Sequence, residues 1–211
     1  MIKNNAKQID IQLKKIISGF TELEKQQAPF AASVAMNKTV YETSQFLRSA
    51  ANRAYQGGAT RFSQSGFVYS KSDKKNLVAT VYIADRQSYL LNTIDGGVVK
   101  PVKRALVQPV EINKNKYGNI PRGKIRRLIT NKKRYFSGTP RNWGVDSNEK
   151  YAGVWERKNK NTQLVMLAKY KNQRHQTKFF PSREIAYKYA KQRFMKHFIP
   201  ALDNAILTAF T

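Results

Sequence analysis

Apolar residues recur with helical spacing at both ends of this chain and with strand-like density only between them. That order constrains the fold more than any other feature. Near the start, Ile9, Leu13, Ile16, Phe20 and Leu23 are separated by 4, 3, 4 and 3 residues, which draws one stripe along a helix. Pro29 either breaks this helix or begins the next one. A second helix is predicted from Phe30 to Gln56, with Met36, Val40, Leu47, Ala51 and Tyr55 near one face and Gly57-Gly58 closing it. Two helices joined at a proline pack as a hairpin. A stripe this narrow suits core packing first, and pairing between subunits as well.

The middle of the chain changes period. Gly66 to Ser70 and Leu77 to Ala84 are rich in Val, Tyr and Ile, with Asp73-Lys74-Lys75-Asn76 as the turn between two strands. Ser88 to Asp95 reads as a short helix closed by Gly96-Gly97. Ala105 to Ile112 reads as a strand that Pro109 confines to a sheet edge. Lys114 to Arg141 is punctuated by Gly118, Pro121, Gly123, Gly138 and Pro140 and is expected as a loop or mobile segment. Tyr151 to Glu156, Leu164 to Lys169 and Gln176 to Phe180 are three further expected strands, with Lys158 to Thr162 turning between the first two.

The last stretch is a helix. Ser182 follows Pro181 as N-cap, and Glu184 suits the first turn. Ala190, Phe194, Phe198, Leu202, Ala205 and Ala209 hold one face, and a straight helix to Phe210 would run roughly 43 Å, with a kink expected at Pro200. The predicted class is therefore α+β: an N-terminal helical hairpin, a central and mostly antiparallel β-sheet, and a long C-terminal helix. The 211 residues are read as a single domain with a basic loop or extension at about 113–141. At 41% hydrophobic residues the chain can fill a core.

Charge bounds the function. The chain has 39 Lys and Arg against 13 Asp and Glu, a net charge of +26. Such a field opposes compaction through self-repulsion, and it exceeds what solubility requires. An anionic counterpart is expected: nucleic acid, an acidic membrane surface or an acidic protein. The sequence has no cysteine, so disulfides and thiolate zinc sites are excluded. No apolar run approaches the roughly 18 residues of a membrane span, and the first residues lack the apolar core of a signal peptide.

Catalytic signatures are sparse. His175 and His197 fall in different elements, and His197 lies between Phe194 and Phe198, where a core or rim histidine is expected. Gly57-Gly58-Ala59-Thr60-Arg61 lacks the Lys-Ser/Thr end of a phosphate loop, and there is no Gly-x-Ser-x-Gly elbow. Asp146, ten residues before Glu156-Arg157-Lys158, matches the acidic residue and Glu-x-Lys arrangement of metal-dependent nucleases. With seven Glu and 39 basic residues in 211, about one Glu-x-basic match arises by chance.

The basic middle segment says more. From Lys100 to Arg141 there are thirteen basic residues and one acid, Glu111, a local net charge of +12. Within it Lys114, Lys116, Arg122, Lys124, Arg126, Arg127, Lys132, Lys133 and Arg134 are the candidate contacts to a partner or to DNA. Tyr135 and Phe136 follow directly. They either stack on bases or anchor a solvated loop to the core. No recognition-helix motif is present, so sequence-specific readout is not expected.

Several short motifs, in order, resemble a known family. They are Phe30-Ala-Ala-Ser-Val-Ala-Met-Asn-Lys-Thr39; Thr60-Arg61-Phe62 with Val81-Tyr-Ile-Ala-Asp85; Tyr89-Leu-Leu-Asn-Thr-Ile-Asp-Gly-Gly97; Asn119-Ile-Pro-Arg122; Gly153-Val-Trp-Glu-Arg157; and the helix from Arg193-Phe194 to Leu202. Together they resemble the minor tail proteins of the Z type, the tail-completion or head–tail joining proteins of bacteriophages, over roughly residues 5 to 210. The resemblance rests on the order of the motifs and on the basic balance; Lys114 to Arg141 matches no pattern of the family. It implies a virion structural protein of the neck or upper tail, assembled in the host cytoplasm as a homo-oligomeric ring. Its partners would be neighbouring connector or tail proteins and non-specific DNA in the channel. It implies no enzyme activity, no cofactor and no membrane, and it gives Glu156 and Arg157 a structural role. Two other readings stand beside it: a nucleic-acid-binding protein without catalysis, and a metal-dependent nuclease.

Overall fold

The computed structural model describes residues 22–140, 152–158 and 163–208. The fold is α+β, with a long helix near the start, antiparallel sheets in the middle and a long helix at the end. The chain divides into two compact units. One comprises Met1–Ala50, Phe62–Ser88 and Pro181–Thr211; the other comprises Ala51–Arg61 and Tyr89–Phe180.

The first unit is built on two helices, α1 (Glu22–Ala54) and α5 (Ser182–Thr208). A run of small residues lets them approach closely. Ala28, Ala31, Ala32 and Ala35 are fully buried against Phe198, Leu202 and Ala205, with Phe194 and Ala201 at the margin. Helix α1 passes through Pro29 without a joint, so the hairpin expected there is not formed at that residue. An interior proline forfeits one helical hydrogen bond, a penalty of about 3 kcal/mol. Burial of the alanines on either side offsets it. The expected helix before residue 22 lies outside the described residues. Helix α5 likewise continues through Pro200; of its expected face Phe198, Leu202 and Ala205 are buried, Ala190 and Phe194 are half-buried, and Ala209 lies outside the described residues.

A short helix α2 (Arg61–Gln64) leads into the hairpin of β1 (Phe67–Ser70) and β2 (Thr80–Ile83). The Asp73 carboxylate accepts the backbone N–H groups of Lys75 and Asn76, both at 2.7 Å, and so sets the expected turn. The carbonyl of Phe67 accepts from the Ser44 hydroxyl at 2.8 Å and from Arg48, which pins β1 to α1. Glu42 lies between α1 and α5, its Oε2 at 2.9 Å from Arg193 Nε and 3.1 Å from His197 Nε2. His197 is thus the rim histidine its neighbours suggested.

The second unit centres on a four-stranded antiparallel sheet in the order β4-β7-β6-β5: β4 is Leu106–Pro109, β5 is Tyr135–Gly138, β6 is Gly153–Lys158 and β7 is Gln163–Lys171. Pro109 sits on an edge strand, as its missing N–H requires. A 3₁₀ segment (Asp85–Leu90) runs into α3 (Leu91–Asp95), after which β3 (Gly97–Val99) pairs with β8 (Arg174–Gln176). Two expectations are corrected here. The strand expected at Gln176 to Phe180 ends where it was to begin, because Phe179 and Phe180 both donate their N–H to the Thr93 carbonyl rather than to a neighbouring strand. The loop expected from Lys114 to Arg141 contains helix α4 (Lys124–Thr130) and strand β5. The turn expected at Lys158 to Thr162 falls largely outside the described residues.

Candidate polyanion interface

Helix α4 has the sequence Lys-Ile-Arg-Arg-Leu-Ile-Thr. Ile125, Leu128 and Ile129 lie at i, i+3 and i+4, and they pack onto the sheet cluster of Ile112, Val154, Leu167 and Ala168. With that side committed to the core, Arg126, Arg127 and Thr130 are left exposed. The hydrophobic pattern that fastens the helix therefore fixes where its guanidinium groups point.

The turn after α4 is held just as firmly. The Asn131 carbonyl accepts the N–H groups of Arg134 at 3.2 Å and Tyr135 at 2.9 Å. Arg157, on the adjacent strand β6, donates its N–H to the Arg134 carbonyl at 2.8 Å. Its guanidinium donates to the carbonyls of Lys132 at 2.9 Å and Lys133 at 3.4 Å. The Lys132 and Lys133 side chains are exposed. Glu156 is only 8% exposed, and its Oε1 accepts from Arg134 Nε at 2.8 Å, with Nη2 at 2.7 Å. The hydrogen bond to Glu156 is the main reason the Arg134 guanidinium holds its proton even more firmly than usual.

The nine predicted contact residues thus separate. Lys114, Lys116 and Arg122 are exposed before α4; Lys124, half-buried, opens it; Arg126 and Arg127 lie on its outer side; Lys132 and Lys133 crown the turn. Arg134 is committed to Glu156, and Lys116 lies over the Tyr117 ring at 5.0 Å. The aromatics are internal fittings rather than stacking platforms. Tyr135 packs on the sheet cluster; Phe136 stacks on Trp155 at 6.5 Å and carries Arg157 over its ring at 4.6 Å. Arg157 and Glu156 are the residues whose local part in this surface charge counting missed. The register of β5 on β6, which opposes Tyr135 to Glu156, puts them there.

Charge is unevenly shared between the units. Among the described residues of the second unit, twenty Lys and Arg stand against three acids, Asp95, Glu111 and Glu156, a difference of +17. The described residues of the first unit carry twelve Lys and Arg and seven acids, a difference of +5.

For the nuclease constellation, Asp146 lies outside the described residues, and Glu156 is the partner of Arg134. Among the described residues no group of three or more His, Asp or Glu side chains is placed to hold a metal ion. A groove of the first unit is lined by Phe30, Val34, Lys38, Pro200, Ala201, Asn204, Ala205 and Thr208; Lys38 is its one ionisable group. No described helix is long and apolar enough to cross a membrane. No protein-family model, curated protein or solved structure matches this chain.

Proposed function

We propose that this chain is a non-catalytic structural protein of a phage virion, a ring-forming component of the neck or upper tail that completes head–tail joining around the DNA channel. The observation that carries the reading is the segregation of charge. The second unit concentrates a difference of +17 on its described residues, while the first holds +5 and is built from long helices with an alanine seam. One unit is suited to packing and the other to meeting an anionic surface, either DNA in a channel or an acidic neighbouring ring. The motif order described above supports the same assignment. Engagement of Glu156 by Arg134 favours a structural over a catalytic use of that carboxylate.

The test is the mass of the purified chain by light scattering, with and without a short duplex, at low and moderate salt. Closed oligomers that persist without DNA support the proposal. A strictly monomeric chain forming a salt-sensitive one-to-one DNA complex would replace it with a nucleic-acid-binding protein. Mg²⁺-dependent cleavage of the duplex that is lost in Glu156→Ala would replace it with a nuclease.

A further inference from the structure

We infer that the outer face of α4 and the Asn131–Arg134 turn form a ridge for the phosphate backbone of double-stranded nucleic acid, with Glu156 and Arg157 as its positioning residues. The inference rests on the reading of the second unit as the contact surface.

The ridge lacks an apolar centre. The described residues between Glu111 and Lys178 include no exposed large hydrophobic side chain, although such residues occur on both sides of that stretch, from Val98 to Val110 and again at Phe179. Protein–protein interfaces are organised around apolar and aromatic anchors in a desolvated centre. A face of Arg126, Arg127, Lys132 and Lys133 beside Thr130 and Asn131 offers none. It does offer guanidinium and ammonium donors, which match phosphate oxygens. Among the described residues none of these four cations has an acidic partner, so no ion pair among those residues must break before they bind.

The aromatic rings near the ridge favour a duplex over a single strand. Proteins that hold single strands stack bases on aromatic rings. Here Tyr135, Phe136 and Trp155 are occupied by the sheet core, by each other and by Arg157. What remains is charge alone, and the duplex has the denser line of charge, one phosphate per roughly 1.7 Å of axis.

The ridge is also ordered. A flexible basic loop would lose conformational freedom on binding. This turn is already fixed, by Arg157 on the Lys132 and Lys133 carbonyls and by Glu156 on Arg134. Arg134 is thereby withdrawn from the phosphate contacts and becomes part of the mount.

The experiment is a fluorescence-anisotropy titration of the full chain with a 20-base-pair duplex, a 20-nucleotide single strand and polyglutamate, across a salt series. Duplex is expected to bind tightest. The double variant Arg126→Ala/Arg127→Ala should flatten the log K against log salt slope by about 1.8 and weaken duplex binding at 0.1 M salt about 60-fold, at roughly 0.9 of a decade per lost phosphate contact. Arg157→Lys keeps the net charge and should still weaken binding, by up to about eightfold, one contact's worth. Glu156→Gln is the sharper arm. It makes the chain more positive, so electrostatics alone predicts tighter binding, whereas a positioning role predicts weaker binding.

Tighter binding by Glu156→Gln overturns the positioning role. Equal or tighter binding of the single strand overturns the choice of duplex, and a preference for polyglutamate makes an acidic protein the partner. Binding to none of the three probes overturns the basic face as a contact surface, while ring formation, measured separately by light scattering, decides the structural proposal.

Discussion

Gly57→Ala is expected to destabilise the second unit far more than the same change at Gly118. Both glycines have left-handed backbone angles, φ +72° at Gly57 and φ +75° at Gly118. A side chain at either position costs about 1–2 kcal/mol of backbone strain. The surroundings differ. A Cβ at Gly118 meets nothing within 4 Å, whereas one at Gly57 falls 1.8 Å from the Lys116 carbonyl oxygen, 2.8 Å from its carbon and 3.2 Å from Tyr117 Cα. These are backbone atoms, so no side chain can swing aside. Displacing them adds about 1–3 kcal/mol, by comparison with overpacked cores. The expected losses are then about 1–2 kcal/mol for Gly118→Ala and about 2–5 kcal/mol for Gly57→Ala. Urea unfolding followed by tryptophan fluorescence reads this directly, because both tryptophans lie in the Tyr89–Phe180 stretch. Midpoints should fall in that order with unchanged m-values. A Gly57→Ala variant within about 0.5 kcal/mol of Gly118→Ala, the usual scatter of a surface change, would refute the steric argument.

Other expectations concern single contacts. Phe198→Ala removes a ring that is 1% exposed in the α1–α5 seam and should cost the first unit about 3–5 kcal/mol, seen as a fall in the helical circular-dichroism midpoint. Arg134→Ala should be more destabilising than Glu156→Ala in paired urea melts, because it leaves a nearly buried carboxylate unpaired while the reverse change frees a cation already 58% exposed. Tyr55 has its phenol pushed up by burial, partly countered by the 2.6 Å hydrogen bond with Thr93. Its folded form therefore holds the proton longer than the unfolded chain. The associated stability is complete below about pH 10 and is lost as pH rises through the raised value. Tyr55→Phe should flatten that alkaline slope in thermal melts taken as a function of pH.

The outline of the fold was legible because it is written in local periodicity. The α5 stripe, the Asp73 turn and the edge position of Pro109 each follow from residues within a few positions of one another. What escaped the sequence reading depends on partners far along the chain. Strand β8 is Arg-His-Gln, with nothing strand-like about it, and it exists because Gly97–Val99 lies opposite. Helix α4 was readable in principle, since Ile125, Leu128 and Ile129 keep helical spacing. Gly118, Pro121 and Gly123 crowd its approach and made the stretch look like a loop. Pro29 misled because the propensity penalty is local, while the alanine packing that outweighs it comes from residues 198–205. For the candidate surface, charge counting marks a basic segment but not how its cations are allocated. It could not separate Arg134, spent on Glu156, from Arg126 and Arg127, or foresee that Tyr135 and Phe136 are taken up by side chains of the sheet itself, one on each face.

The alanine seam also has a consequence for biosynthesis. Its two sides lie about 170 residues apart in the chain, so at 5–20 residues per second α1 emerges from the ribosome roughly 8–34 s before α5 exists to cover it. The sheet unit is encoded between them and is complete first. During that interval the small-residue face of α1 lacks Phe198, Leu202 and Ala205, the buried residues that α5 brings to the seam. Loss of the last thirty residues would leave the basic unit intact in sequence but deprive the first unit of its closing helix. Premature termination late in the gene should therefore yield a chain that keeps the candidate polyanion surface in sequence and lacks the helix that closes over α1.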